Sequence, residues 1–400
     1  MPKATLIRGA RQLLTLRGPT GPRRGADLRN LGIIPDGAVL IVDGRIHDVG
    51  PSRRLENLAL ARQAHWMDAS GRVVMPGFVD SHTHMAGGPT RIRDSFGTPN
   101  LARTIQQLSP RTLQAQALHA VEEAVRHGTT TLESRSGFGL TEVNEIKILR
   151  VHAALRKRSV PLISTFSAHA PCDLEWLCSH LLPLIHRRKL AELAAIHCCP
   201  NHGFTVDQAR QYLLAARHLK FGLQISTGTG SPAGPIALAA ELGITSVGHL
   251  LHATPDDAAL LAQSPTVATL LPGPVFYLGT EEYPPARMLI DSGVAVALGS
   301  HYHPETSPSQ NMQMMISLAC GYMSMTPAEA LTAATINAAH ALRIASSAGS
   351  LEAGKNADLL ILDVPDYREI PYHFGMNLVR TVMQNGNVLV ARSEVKWPTP

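Results

Sequence analysis

The chain is poor in the features that mark several large classes of protein. Its five cysteines, Cys172, Cys178, Cys198, Cys199 and Cys320, are odd in number and form no CxxC pair. That argues against a disulfide framework and for a reducing, cytoplasmic setting. No apolar run reaches transmembrane length, so no membrane contact is expected. The opening MPKATLIRGARQLLTLRG lacks the uninterrupted apolar core and small-residue cleavage site of a secretory leader. The formal charge of +5 is spread over short groups, Arg23-Arg24, Arg53-Arg54 and Arg187-Arg188-Lys189. Such groups read as solvated surface, and without a basic stripe no nucleic-acid partner is expected. There is no internal repeat and no low-complexity tract.

What is present is apolar material for a large core, 44% of residues, with few aromatics and a charged fraction of 17%. This composition suits an α/β protein of buried strands and small-residue helices. The two ends read as short strands and tight turns. Asp43-Gly44 lies where residues 39–46 should fold back, and Asn385-Gly386 does the same within 382–390. Neither end can bury a sheet face alone, so residues 1–75 and 346–400 are expected to join in one small β-sandwich domain.

Between them, residues 76–345 alternate regularly. Continuous apolar runs at 73–79, 129–133, 161–167, 193–198, 221–226, 245–250, 266–271 and 294–299 read as strands covered on both faces. Helical stretches fall near 111–126, 142–157, 174–187, 205–219, 233–242, 255–263, 284–292 and 308–321, and Thr326-Pro-Ala-Glu329 opens a further helix with a capping box. Eight strands and eight helices make a closed (β/α)8 TIM barrel, whose active site belongs at the C-terminal ends of the strands.

Those ends are rich in histidine: His82 and His84 after strand one, His169 after strand three, His197 near strand four, His249 at strand six, and His301 and His303 after strand eight. A lone strand-end histidine is commonly a hydrogen-bonded core residue. A pair spaced i, i+2 is different, because both side chains point the same way and can share one ion; neutral imidazole suits zinc or iron. Cys198 and Cys199 read as buried hydrophobes, His180 as solvated surface and Asp291 as a cap or surface residue.

The stretch Pro76-Gly-Phe-Val-Asp-Ser-His-Thr-His84 resembles the first metal motif of the amidohydrolase superfamily. With Gly128 to Leu140, Ala168-His-Ala170, Leu270-Leu-Pro-Gly273, Thr335-Ile-Asn-Ala338 and Ile370-Pro-Tyr-His-Phe-Gly375, the chain resembles the imidazolonepropionases over nearly its whole length. Those enzymes open an imidazolone ring in histidine degradation. The resemblance implies a metal-dependent hydrolase acting on the C–N bond of a cyclic amide that bears a carboxylate, with one Zn2+ or Fe2+/Fe3+ ion, a small anionic substrate and a homodimeric state.

Residue by residue, the resemblance places substrate contacts at Arg91 (for the propionate), Phe138 (where the family has Tyr), His169, Thr229, His303, Glu305 and Thr306. The family's strand-five histidine ligand is Ser226 here, its strand-eight aspartate is His301, and the Lys of its strand-two motif is Arg135. Two readings remain open. In one, His82, His84 and His301 form a rebuilt three-histidine metal site, with His249, His301 and His303 as the catalytic groups. In the other, the chain is a catalytically inactive relative that binds a small anionic ligand.

Overall fold

The computed structural model describes residues 3–87, 101–157, 160–199, 203–227 and 234–392. Its centre is an eight-stranded, all-parallel sheet in sequential order: β1 (Phe78–Asp80), β2 (Thr129–Arg135), β3 (Leu162–Ala168), β4 (Leu193–Cys198), β5 (Gly222–Thr227), β6 (Ser246–Gly248), β7 (Val267–Leu270) and β8 (Val296–Leu298). Helices fill the connections, as the apolar periodicity predicts. Pro110–Arg126 starts on a Ser109 cap and Val206–His218 on a Thr205–Gln208 capping box. The Thr326–Glu329 box is also present, and its glutamate is fully buried against Arg29 and Arg287.

The seam between β1 and β8 lies directly under the histidines. Ser81 Oγ donates to the Leu298 carbonyl (3.0 Å), the Ser300 amide donates to Asp80 Oδ1 (2.9 Å), and the His84 amide donates to the Tyr302 carbonyl (2.7 Å). Thr83 and Tyr302 form a parallel bridge that closes the sheet into a barrel. At the opposite mouth Val79, Leu193, Val267, Ala295 and Ala297 pack with Ala338, Ala339, Ala341 and Leu342. The helix Ile336–Ala341 thus supplies part of an apolar plug there, leaving the polar chemistry to the C-terminal end.

One expected strand is in fact two. Within 73–79, Val73–Pro76 pairs with Leu359–Leu362 in a different sheet, and only Phe78–Asp80 enters the barrel. The break is at Gly77, where a Cβ would lie 2.1 Å from Thr130 Oγ1. A continuous apolar run conceals this division because both halves are buried. Just beyond the run 266–271, Pro272 starts a short helix, Pro272–Leu278.

The remaining strands form two sheets. One has four strands, Ala4–Ala10, Gly37–Val42, Arg45–Pro51 and His65–Asp68; the other has six and draws on both ends of the chain. Ile7, Val39, Ile41 and Ile46 from the first pack on Leu13, Val74, Leu359, Ile361 and Met383 from the second, which makes a sandwich. Both expected hairpins form, with Asp43-Gly44 and Asn385-Gly386 each at positive φ (48° and 81°; 45° and 70°). The turns touch: a Cβ on Gly44 would meet the Asn385 carbonyl at 2.7 Å.

Candidate active site

Three imidazoles converge at the C-terminal mouth. His82, His249 and His301 each offer a nitrogen within 4.8 Å of the others. His82 follows β1, His249 follows β6 and His301 follows β8, so the trio is assembled across the barrel rather than along one strand. His249 and His301 hold left-handed backbone, with φ of 77° and 49°, and Leu250 follows at 61°. Such conformations are costly for residues with a Cβ and concentrate at functional sites. The bend after β6 is held by Thr227, whose hydroxyl donates to the Gly248 carbonyl (3.0 Å) and accepts from the Leu250 amide (3.2 Å).

His84, expected beside His82 as a ligand, lies at the edge of this trio. Its ring is 5.7 Å from that of His82 and 5.3 Å from those of His301 and His303. His249, expected as a catalytic group outside the metal set, takes the third place in the trio. Phe138 stands among His84, His169 and His303 at 5.1, 4.9 and 5.2 Å. His169 in turn stacks on His197, with centroids 5.5 Å apart. Thr306 lines a cavity of about 650 Å³ together with His249, His301, Leu251, Leu271 and Val275. Glu305 uses its amide to donate to His303 Nδ1 (3.2 Å). Arg91 and Thr229 lie outside the described residues. Cys198 and Cys199 are buried and stand apart from the trio; His180 meets Glu142 on the surface and Asp291 meets Arg287.

Burial keeps these imidazoles neutral. It holds His82, His84 and His301 well below the ordinary value, His169 and His249 at about 3 and His303 at about 4. A neutral imidazole has a lone pair to offer, and Nδ1 of His82, His84 and His301 are all buried with no hydrogen-bond partner. Orphaned buried nitrogens are costly unless something else satisfies them. The trio His82, His249 and His301 therefore fits a divalent ion, and His84, whose Nδ1 is equally without a hydrogen-bond partner, stands beside it. Burial also pushes the Asp80 carboxyl up to about 7, and its Oδ2 is likewise without a partner.

The strand-two residues proved more prominent than their sequence context suggests. Arg135 is 3% exposed and Glu133 is fully buried, and they form an ion pair of 2.8 Å. The same guanidinium donates to Ser226 Oγ and to Gln224 Oε1, each at 2.8 Å. The hydroxyl that stands where the family has a histidine ligand is thus tied to a fixed cation. A buried Arg two residues from a Glu at a strand end was the available signal, and the i, i+2 spacing puts both on one face.

A model described as the amidohydrolase family matches residues 188–389, and a second so described matches residues 66–160. Imidazolonepropionase from Bacillus cytotoxicus is 36% identical over 98% of this chain and 98% of its own length; that from Symbiobacterium thermophilum is 37% identical over 99% of each. The chain belongs to the amidohydrolase family. As an amidohydrolase it is a metal-dependent hydrolase of C–N bonds, similar in sequence to imidazolonepropionases. Solved structures agree on the fold: a triazine hydrolase variant superposes with a TM-score of 0.78 at 18% identity, covering 97% of this chain and 95% of that one. E. coli guanine deaminase gives 0.74 at 16% identity, covering 98% and 100%. No helix among the described residues is long and apolar enough to cross a membrane.

Proposed function

We propose that this amidohydrolase opens a small cyclic amide that carries a carboxylate, of the imidazolone type that its relatives' name denotes. The observation that carries the reading is the convergence of neutral His82, His249 and His301 at the barrel mouth, beside a cavity of about 650 Å³, the scale of a small-molecule site.

His82, His249 and His301 would hold the ion, zinc or iron. When bound, such an ion polarises the scissile carbonyl and makes water acidic enough to attack near neutral pH. His303 has a narrower role than that of a general base. Its Nδ1 accepts the Glu305 amide, so the neutral ring carries its proton on Nε2 and presents a donor. A donor there orients a carbonyl or carboxylate oxygen of the substrate. Phe138 offers a flat apolar wall against which a five-membered ring can lie.

The experiment is a hydrolysis assay of the zinc- or iron-loaded protein on imidazolonepropionate and on carboxylate-bearing cyclic amides, beside their neutral esters. Turnover of the acids, a weaker response to the esters and loss in His301→Ala are expected. An ion-loaded protein that turns over none of them would refute the proposal. It would favour the second reading, a binding protein, to which the commitment of Ser226 to Arg135 already lends weight.

A further inference from the structure

We infer that the substrate carries, beside its scissile amide, an apolar arm that lodges in the cavity adjoining the trio, a space that Phe138 does not line. This rests on the proposed ion at His82, His249 and His301, and it adds an apolar substituent to the substrate proposed above.

The residues around the trio fall into two groups. Phe138 stands with His84, His169 and His303, and none of these four lines the cavity. The cavity lies instead among the segments that follow β6, β7 and β8, where His249 and His301 line it. His301 belongs to both groups, since its ring is also 5.3 Å from that of His84. A carbonyl carbon held at the trio can therefore send one substituent toward Phe138 and another into the cavity.

The sequence after β7 accounts for the character of that cavity. Leu271, Val275 and Leu278 are spaced i, i+4 and i+7 along the helix Pro272–Leu278 and its N-cap, so they share one face. All three line the cavity, joined by Leu251 from the segment after β6, while Phe276 and Tyr277 fall on other faces and do not. Leu271 and Val275 are buried, but Leu278 is 50% exposed and Leu251 only half-buried. Packing within the chain thus leaves apolar surface uncovered beside the trio, and an apolar group seated there takes it out of water.

Charge points the same way. Among the described residues that line the cavity there is no lysine or arginine, and Glu281 and Glu282 stand exposed at its edge, Glu282 lying 3.5 Å from His252. A carboxylate finds no fixed cation here and two acids to repel it. The carboxylate of the substrate therefore belongs on the Phe138 side, where His303 presents a donor. At about 650 Å³ the cavity has room for a branched alkyl or aryl group in addition to a ring lying on Phe138.

The test is isothermal titration calorimetry of the zinc-loaded, full-length protein with two hydroxamates. Acetohydroxamate and phenylpropanohydroxamate present the same two oxygens to zinc and differ only in carrying a methyl or an aryl arm. The arm is expected to tighten binding about tenfold or more. Leu278→Glu, a change at a half-exposed position, should reduce that ratio to less than about threefold, because the arm then meets a charge. Should this variant not fold, the milder Leu278→Gln should lower the ratio in the same direction. Equal affinity of the two compounds would overturn the inference. So would an advantage of the arm that both variants leave intact, which would place it against Phe138. Either result leaves the hydrolase reading standing. A protein that takes up no zinc, or that binds neither compound when loaded, would overturn the ion-holding reading and the inference with it.

Discussion

Replacing Arg135 with Met tests how the barrel interior tolerates its buried charges. The substitution keeps much of the side-chain volume but removes three hydrogen bonds of 2.8 Å and strands the Glu133 carboxylate, which has no exposure of its own. Breaking a buried pair from one side costs about 3–5 kcal/mol, because the remaining charge loses its partner without regaining water. Unfolding entropy scales at roughly 2 cal/mol/K per residue. For a chain of 400 residues that makes each kcal/mol worth about 1.2 °C in Tm. The expected drop is therefore about 4–6 °C by differential scanning calorimetry. Arg135→Met combined with Glu133→Gln should recover more than half of it, since the amide can be buried without a charge. If the double substitution costs as much as the sum of the two single ones, the stranded carboxylate is not the source of the loss and the ion pair has been misread.

Three other outcomes follow from local geometry. His249 sits at a φ of 77°; His249→Asn should fold normally, whereas His249→Val should lose roughly 1–2 kcal/mol more, read as a shift in denaturant midpoint, because a β-branched residue tolerates left-handed backbone poorly. Equal stability of the two would contradict the assigned backbone. Gly77→Ala should cost several kcal/mol or block folding, since its Cβ would meet Thr130 Oγ1 at 2.1 Å; the companion Thr130→Ser, which removes the methyl 2.3 Å away, should ease only part of the clash. Burial opposes ionisation of Glu329, but Arg287, the Thr326 amide and Arg29 outweigh it and hold the carboxyl at about 2, below its ordinary 4.5. Its folded value is the lower one, so its stabilisation is complete above about pH 4.5 and disappears as pH falls toward 2. The contribution at stake is about 3 kcal/mol. Urea midpoints of the wild type and of Glu329→Gln, followed against pH, should converge below pH 4.5; parallel curves would contradict the assignment.

Periodicity carried most of the barrel because its signal is local. A strand covered on both faces must be apolar throughout, and a helix cap must present its hydroxyl three residues before its glutamate, so 129–133 and Thr326–Glu329 were legible without any tertiary knowledge. The run 73–79 was not, because burial in one sheet and burial in another leave the same apolar trace. Only the collision that Gly77 avoids marks the division.

The candidate site divides in the same way. The sequence alone determined that histidines end strands one, six and eight, since those positions depend only on where each apolar run stops. Which three of them meet was decided by tertiary structure. Side-chain direction at a strand end depends on the backbone angle there, and the left-handed turns at His249 and His301 aim those rings toward His82 while His84 falls to the edge. The role of Arg135 is still further from the sequence. Ser226 and Gln224 lie 91 and 89 residues from it, and only closure of the barrel brings a guanidinium on strand two across to strand five, where burial leaves it no partner but the ones the fold supplies.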